Sequence, residues 1–409
     1  MMTTPMTGAQ WTASLRDPDL PAVAALLTDD TSGPLDALAR TTGGTLVAHH
    51  LTNVTWWPGK SCTVQWTAQI EGGRLAGLGE FVATTQEGPD GALRVGDGPN
   101  GVTVWKVPHD PFLPALERVL DPGVAAQLVA GLDGDLGSPT TRLRAYRPGR
   151  RAVVEAQGEG GHRVYLKLVK PKRLEGLRRR HDELSQHVPV PQPLGAHPEL
   201  GLLVMPTMRG RTLREVLEDP GATLPDPEAV VALPEQLPEL SRMGEVTSSI
   251  NAAVRMAEIL TALLPSQAER VRTLLERIGS DEVTERVVAH GDYHEAQLLV
   301  EDGEIVSLLD VDTVGWGRPA EDAAVMLAHL TLWSAISSQP DRVRSYAVEL
   351  QRLWDDRLDG VDLRRRVAAR LMGLAVGPFR AQAPDWPAQV SWRLDLAESW
   401  LDSAECCTD

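Results

Sequence analysis

Between His290 and Asp312 the chain reads "HGDYHEAQLLVEDGEIVSLLDVD". Its apolar runs, "AQLLVED" and "EIVSLLDVD", are split by Glu-Asp-Gly, a turn signal, so the segment predicts a loop followed by two short paired strands. A hairpin this short folds the chain straight back on itself. Asp292 lies in the loop, Gln297 five residues later at the hairpin's foot, and Asp310 a further thirteen on, at the end of the return strand. Loop and hairpin together therefore bring three oxygen-bearing side chains to one end.

The flanking sequence shows an internal echo. "VTWWPGKSCTVQW" (54–66) and "LRAYRPGRRAVVEA" (143–156) both read strand, Pro-Gly, strand. Proline then glycine suits the two central positions of a type II turn, so each is a predicted hairpin. After the first copy, "GEFVATT" and "GVTVWKV" supply more strands and "DPFLPALERVL" opens a helix. Residues 1–120 are expected to form an α+β cap. The second copy runs into the alternating strand "HRVYLKLVK", the helical "PKRLEGLRRRHDELSQH" and the buried strand "GLLVMPTMRGRTL". Residues 121–208 are thus expected to be a β-rich small lobe and 209–409 a mainly helical large lobe. The Pro-interrupted stretch 221–240 is expected to be a mobile connection.

Composition narrows the function classes. A chain of 409 residues with 42% hydrophobic residues is globular and long enough for two or three domains. A formal charge of −16 argues against nucleic-acid or anionic-membrane partners, which need a basic surface. No apolar run approaches the roughly 18 residues of a membrane span. The N-terminus lacks the pattern of a signal peptide, and the three cysteines form no disulfide framework, with Cys406 and Cys407 in an expected frayed tail. The cytoplasm is the expected compartment; oligomeric state is left open. Lysine is scarce, 5 against 35 arginines, so Lys167 inside an apolar strand calls for a reason.

Phosphoryl transfer to an alcohol supplies one. It needs a carboxylate for the hydroxyl, oxygen ligands for Mg²⁺ and a cation on the phosphates. Asp292 suits the first role, Gln297 and Asp310 the second and Lys167 the third. Glu183 and Glu175, on the helix after Lys167, are candidate partners for its ammonium. The turn 147–151 would cover the phosphates of ATP. At the connecting strand, Pro206 has no N–H, so the Met205 carbonyl and the Thr207 N–H are the pair expected to meet adenine. Each feature has an ordinary structural reading: a snorkelling edge lysine, a solvated strand end, or His294 and His329 as hydrogen-bonders. Their common order along the chain is what favours the chemical one.

With these residues on the page, the chain resembles the aminoglycoside phosphotransferase and choline kinase superfamily, whose hallmark is HGDxxxxN followed by a D-x-D/E strand. "HGDYHEAQLLV…LLDVDTVGWGRPAEDAA" carries that pattern from about residue 125 onward, with Gln297 in the Asn position. Glutamine offers the same neutral amide oxygen on one more methylene, so metal binding is retained in kind. The resemblance implies an α+β, bilobal, protein-kinase-like fold using ATP and Mg²⁺. It also implies that His290 and Asp322 support the catalytic loop. The N-terminal cap with "WWPGKS", the Gln and the "GDYHEAQ" and "DVDTVGWG" segments are similar to bacterial maltokinases and, more closely, glucosamine kinases.

The acceptor expected from this resemblance is a sugar or amino sugar, with phosphorylation of glucosamine at the 6-hydroxyl as the leading reading. Asp312, His294 and Glu295 are candidates for holding its ammonium and hydroxyls, Arg380 for hydrogen bonding and Trp386 as a sugar-facing platform. The alternatives are a maltokinase, an aminoglycoside phosphotransferase and a catalytically silent nucleotide-binding regulator. The retained Asp292, Asp310 and Lys167 speak against the last.

Overall fold

The computed structural model of the chain describes residues 7–28, 33–132, 136–282 and 285–405. Cys406 and Cys407 lie outside them. Two five-stranded antiparallel sheets carry the first half. In the cap, strands Thr45–Trp57, Ser61–Glu71, Gly77–Thr84, Arg94–Val95 and Val102–Lys106 stand side by side in the order first, second, third, fifth, fourth. The small lobe repeats that order with Thr140–Arg147, Arg151–Gln157, Arg163–Val169, Gly195–His197 and Leu202–Pro206. Alternation is clearest in the second cap strand. "SCTVQWTAQIE" sends Cys62, Val64, Trp66, Ala68 and Ile70 into the core and the residues between them to the other face.

Both Pro-Gly turns form as expected. Gly59 and Gly149 each have φ +67°, the left-handed value a type II turn requires there. The closing bonds run from Lys60 N–H to Trp57 O at 2.9 Å and from Arg150 N–H to Arg147 O at 3.0 Å. A buried aspartate anchors each turn. Asp17 Oδ2 accepts from the Trp56 indole N–H and the Gly59 N–H, both at 2.9 Å. Asp110 Oδ2 accepts from the Tyr146 hydroxyl at 2.8 Å and the Gly149 N–H at 2.7 Å. The echo in sequence is thus a repeat of strand order, turn and anchor together.

Helices Ala115–Leu120 and Pro122–Val129 bury Leu116, Val119, Ala125 and Val129 against Val154, Leu166 and Val204 of the second sheet. The first of these helices, expected on the cap side of residue 120, therefore packs into the small lobe. Helix Pro171–Leu184 lies beside the same sheet. The large lobe packs the long helices Ser249–Leu263, Glu321–Ile336 and Trp386–Glu405 around helix Gly360–Ala375.

Two expectations are corrected. Residues 221–240 are not a loose connection: helix Pro227–Ala232 buries Val230 and Val231, and the Tyr293 and Tyr346 hydroxyls donate to Val230 O and Pro225 O at 2.7 and 3.0 Å. Trp386 faces no substrate. It is 0% exposed, and its indole N–H donates to Gly8 O at 2.9 Å, docking the cap's first helix, Gly8–Ser14, on the large lobe. The proline after Trp386 starts a helix, as read, but the helix start is covered by the cap. Gly8 allows this approach, since a Cβ there would stand 2.5 Å from Pro384 O.

Candidate active site

The loop 290–297 is held by its own backbone. Asp322, buried on helix Glu321–Ile336, accepts the N–H groups of His290 and Gly291 at 2.7 and 2.8 Å. Burial pushes its carboxyl up, while those two donors favour the ionised form. His290 Nε2 donates to Leu309 O at 2.9 Å, and its Nδ1 then accepts the Asp292 N–H at 3.3 Å. Leu309 N–H in turn donates to Gln297 O at 2.8 Å. The residue before Asp310 is thereby tied to both ends of the loop, and this brings positions 292, 297 and 310 together. Asp310 itself sits at φ +49°, a left-handed conformation that aspartate tolerates better than branched residues.

Cations meet these acids from the small lobe. Lys167, on the third strand of its sheet, places Nζ 2.6 Å from Asp312 Oδ1 and 3.5 Å from Asp310 Oδ1. Arg151, just past the Pro-Gly turn, lies 3.4 Å from Asp310 and 3.3 Å from Asp312. Arg180, on helix Pro171–Leu184, donates to the Asp312 carbonyl at 2.6 Å. Burial opposes ionisation of Asp310, but Lys167 and Arg151 outweigh it and hold the carboxyl below its ordinary range.

Neither glutamate expected beside Lys167 reaches it. Glu183 accepts the Ser241 N–H at 2.7 Å, and Glu175 is exposed and paired with Arg178 at 3.3 Å. The helix turns Arg180 and buried His181 toward the cleft instead, His181 bonded to Pro191 O at 2.8 Å. Lys167 accordingly finds its counter-charges on Asp310 and Asp312, which lie not in the return strand, as expected, but in the turn past its end at Leu308.

On the large-lobe side, Asp292 Oδ1 accepts from Arg370 Nη2 at 2.7 Å. The Gln297 amide nitrogen lies 3.2 Å from His294 Nε2, and the same imidazole stands 3.9 Å from Asp292 Oδ2. His294 stacks on His329 with ring centres 4.2 Å apart, and Asp292, His294 and His329 present donor atoms within 4.8 Å of one another. Burial, reinforced by His294, pushes His329 down to about 3.

Glu295 is corrected as a substrate ligand. It is 0% exposed and receives the Arg214 Nε–H at 2.8 Å, with His294 and His329 close to its other oxygen. Burial alone would raise its carboxyl, yet these neighbours bring it to about 2. Arg214 is itself stacked over Trp333 at 4.5 Å. Asp312 is likewise occupied by Lys167 and Arg151. Arg380 lies in a cavity shared with the cap, with Nη2 on Met256 Sδ at 3.8 Å.

At the connecting strand Met205 is the last residue before Pro206. Thr207 follows it, its hydroxyl donating to Arg163 O at 2.7 Å. Sequence reasoning missed Arg151, Arg180, Arg370, Asp110 and Asp17. Only the aspartates had a usable signal, since each precedes its Pro-Gly turn by about forty residues (17 to 58, 110 to 148).

The donor set fits a hard divalent cation. A carboxylate and an amide oxygen are the ligands magnesium takes, and Asp310 is held ionised. The pattern of the phosphotransferase enzyme family (APH) matches residues 142–358, more than half of the chain, and begins in the first small-lobe strand, leaving the cap outside. A search of curated proteins finds no match. Among solved structures, the macrolide 2'-phosphotransferase MphH of Brachybacterium faecium is 19% identical, covering 66% of this chain and 97% of its own with a TM-score of 0.39. The aminoglycoside phosphotransferase APH(3'')-Id of Streptomyces rimosus ATCC10970, solved with ADP and streptomycin, is 18% identical over 62% and 98% of the two chains, TM-score 0.40. The amicoumacin kinase hAmiN, solved with AMP-PNP, Ca²⁺ and Ami, is 15% identical over 69% and 94%, TM-score 0.44.

Proposed function

Because the chain belongs to the phosphotransferase enzyme family, we propose that it transfers the γ-phosphoryl group of ATP to a hydroxyl of an amino sugar, with glucosamine as the acceptor. One observation carries the catalytic half: Lys167 bridges to the two acids of the Asp-Val-Asp turn across the cleft between lobes, 2.6 and 3.5 Å away. A lysine and an arginine on two metal-type carboxylates form a charge-balanced resting site. Bound ATP replaces those contacts, with Lys167 and Arg151 turning to the phosphates and the acids released for the cation. Asp310 and Gln297 would hold that cation, which supplies charge neutralisation on the phosphates. Asp292 accepts the proton of the acceptor hydroxyl. Arg370, bonded to one of its oxygens, fixes its rotamer and leaves Oδ2 beside His294 for the acceptor. Asp322 and His290 hold the loop rigid beneath it. Met205 and Thr207 are proposed to meet adenine through the backbone.

The acceptor rests on less. What supports glucosamine is the likeness of "GDYHEAQ", "DVDTVGWG" and the Pro-Gly cap to glucosamine kinases. With Glu295 and Asp312 committed to cations, His294 and Asp292 remain as the polar groups for a sugar. A second reading, an aminoglycoside phosphotransferase, is favoured by the formal charge of −16, which suits a polycationic acceptor. Coupled ADP release with glucosamine, glucose, maltose and streptomycin separates the readings. Turnover on glucosamine alone is expected. Turnover on streptomycin but not glucosamine replaces the acceptor and leaves the chemistry, whereas unchanged turnover in Asp292→Asn removes the chemistry.

A further inference from the structure

The cap sheet copies the small-lobe sheet down to its register, which identifies the cap face that corresponds to the nucleotide face. In the small lobe Val153 pairs with Lys167 and Lys167 with Leu203. Counting from each Pro-Gly turn, the cap equivalents are Thr63, paired with Thr84, and Thr84, paired with Thr103. Thr84 therefore stands where Lys167 stands in the working lobe, and Ser61 where Arg151 stands. The cap face has lost its phosphate-gripping cations and carries hydroxyls and amides in their place.

That face is not covered by packing. It forms one wall of a cavity of about 740 Å³, within the range of small-molecule sites. Asn53, Ser61, Thr63, Gln65, Thr84 and Gln86 line this wall, with Trp57 among them. The opposite wall is cationic: Arg147 and Arg150 from the second Pro-Gly turn, Lys170 from the end of the lysine strand and Arg380 from the large lobe. Among the described residues no Asp or Glu lines the cavity. Among the described residues none of the four cations has a carboxylate in ion-pair contact; Lys170 sits over the Phe112 ring and Arg380 touches only Met256 Sδ. Arg147 and Arg150 are exposed and Lys170 and Arg380 half-buried, so all four are free to turn to an anion that enters the hollow. Burial and the Arg147 charge both work against the Arg380 cation, as expected if the two face a common empty space.

We propose that this cavity is a second ligand site, for a phosphate monoester carried on a hydroxylated ring. The cations take the phosphate. The Thr, Ser, Asn and Gln side chains take ring hydroxyls by paired donor and acceptor bonds, and the Trp57 indole offers an apolar face. Sugar phosphates and nucleoside monophosphates share this chemistry. The turn Arg147–Arg151 forms part of the cavity wall and also bears Arg151, which contacts Asp310, so an occupant stands next to the nucleotide loop.

Calorimetric titration of the full chain tests the assignment, using glucose 6-phosphate, AMP, glucose and inorganic phosphate, each with and without saturating AMP-PNP. Glucose 6-phosphate, AMP or both are expected to bind saturably in the presence of AMP-PNP, at least about tenfold tighter than glucose or inorganic phosphate. Whichever of the two binds identifies the source of the monoester. Lys170→Gln and Gln65→Leu, on opposite walls, are each expected to weaken that binding about fivefold or more while AMP-PNP affinity stays within about twofold. Circular dichroism verifies that both variants fold. Absence of saturable binding up to millimolar ester, loss of binding under AMP-PNP, or wild-type affinity in both folded variants overturns the proposal. Phosphotransfer is not the readout, so failure here and failure of the proposed reaction are distinguishable.

Discussion

Replacing Lys167 with methionine separates a catalytic lysine from a merely structural one. The lysine side chain is 12% exposed and its ammonium lies 2.6 and 3.5 Å from Asp312 and Asp310, whose side chains are 20% and 27% exposed. Removing one partner of a fully buried ion pair costs about 3–5 kcal/mol. Two features reduce that here. Water reaches the acids, and Arg151 remains 3.3 and 3.4 Å from them, so about 1–2 kcal/mol is the expected loss. Unfolding entropy of about 2.1 cal/mol/K per residue, over 409 residues, turns that into a fall of about 2 °C in Tm for one cooperative transition. Activity is expected to respond on a different scale. Loss of a pre-positioned cation on the transferring phosphates removes about 3–4 kcal/mol of transition-state stabilisation, a fall of about 10²–10³ in kcat. The assay pairs steady-state ADP release with scanning calorimetry on the same preparation. A variant that melts within a few degrees of wild type and turns over within tenfold of it refutes the reasoning, because the strand lysine would then be only a counter-ion for the DVD acids.

Gln297→Asn is expected to keep kcat within about tenfold, since it retains the amide oxygen, whereas Gln297→Ala raises the magnesium concentration needed for half-maximal turnover by about 10–100-fold; a metal titration checks both. Asp110→Ala removes the acceptor of the Gly149 N–H and is expected to raise KM for ATP severalfold, while Asp17→Ala lowers Tm without moving that KM; equal effects on KM would contradict separate roles for the two anchors. Glu295, depressed from 4.5 to about 2, binds fewer protons folded than unfolded, so its contribution is full above the ordinary carboxylate pKa and is lost as pH falls from about 5 to 2. It amounts to up to about 3 kcal/mol, and Glu295→Gln should flatten the acid limb of Tm against pH; an unchanged slope would exclude the assignment. Trp386→Ala should cost about 3–5 kcal/mol and loosen the cap, detected as earlier proteolysis after the first helix.

Local signals made the two Pro-Gly hairpins, the alternating strands and the order loop, hairpin, aspartate readable in advance. A type II turn needs Pro and Gly in place, and a strand with one buried face needs period-two burial, whatever else the chain does. Asp292, Gln297 and Asp310 were legible for the same reason: short-range connectivity alone forces them together. What failed were inferences about partners distant in sequence. Glu183 lies on the expected helix, but helix rotation aims Arg180 at the cleft and leaves Glu183 to Ser241. Glu295 looks like a solvated loop acid until Arg214, 81 residues away in sequence, is found against it. Trp386 reads as an exposed helix start until the N-terminal helix covers it.

The division follows from the range of the forces involved. Dihedral preferences and hydrophobic period act over a few residues, so the chain alone determined its strands, its turns and the motif that classifies it. Ion pairs and docked surfaces depend on which elements pack, and only the folded molecule decided that Lys167 answers to Asp310 and Asp312. The same holds for Arg370, which holds Asp292, and for the second copy of the small-lobe sheet, which turns a polar face toward four cations.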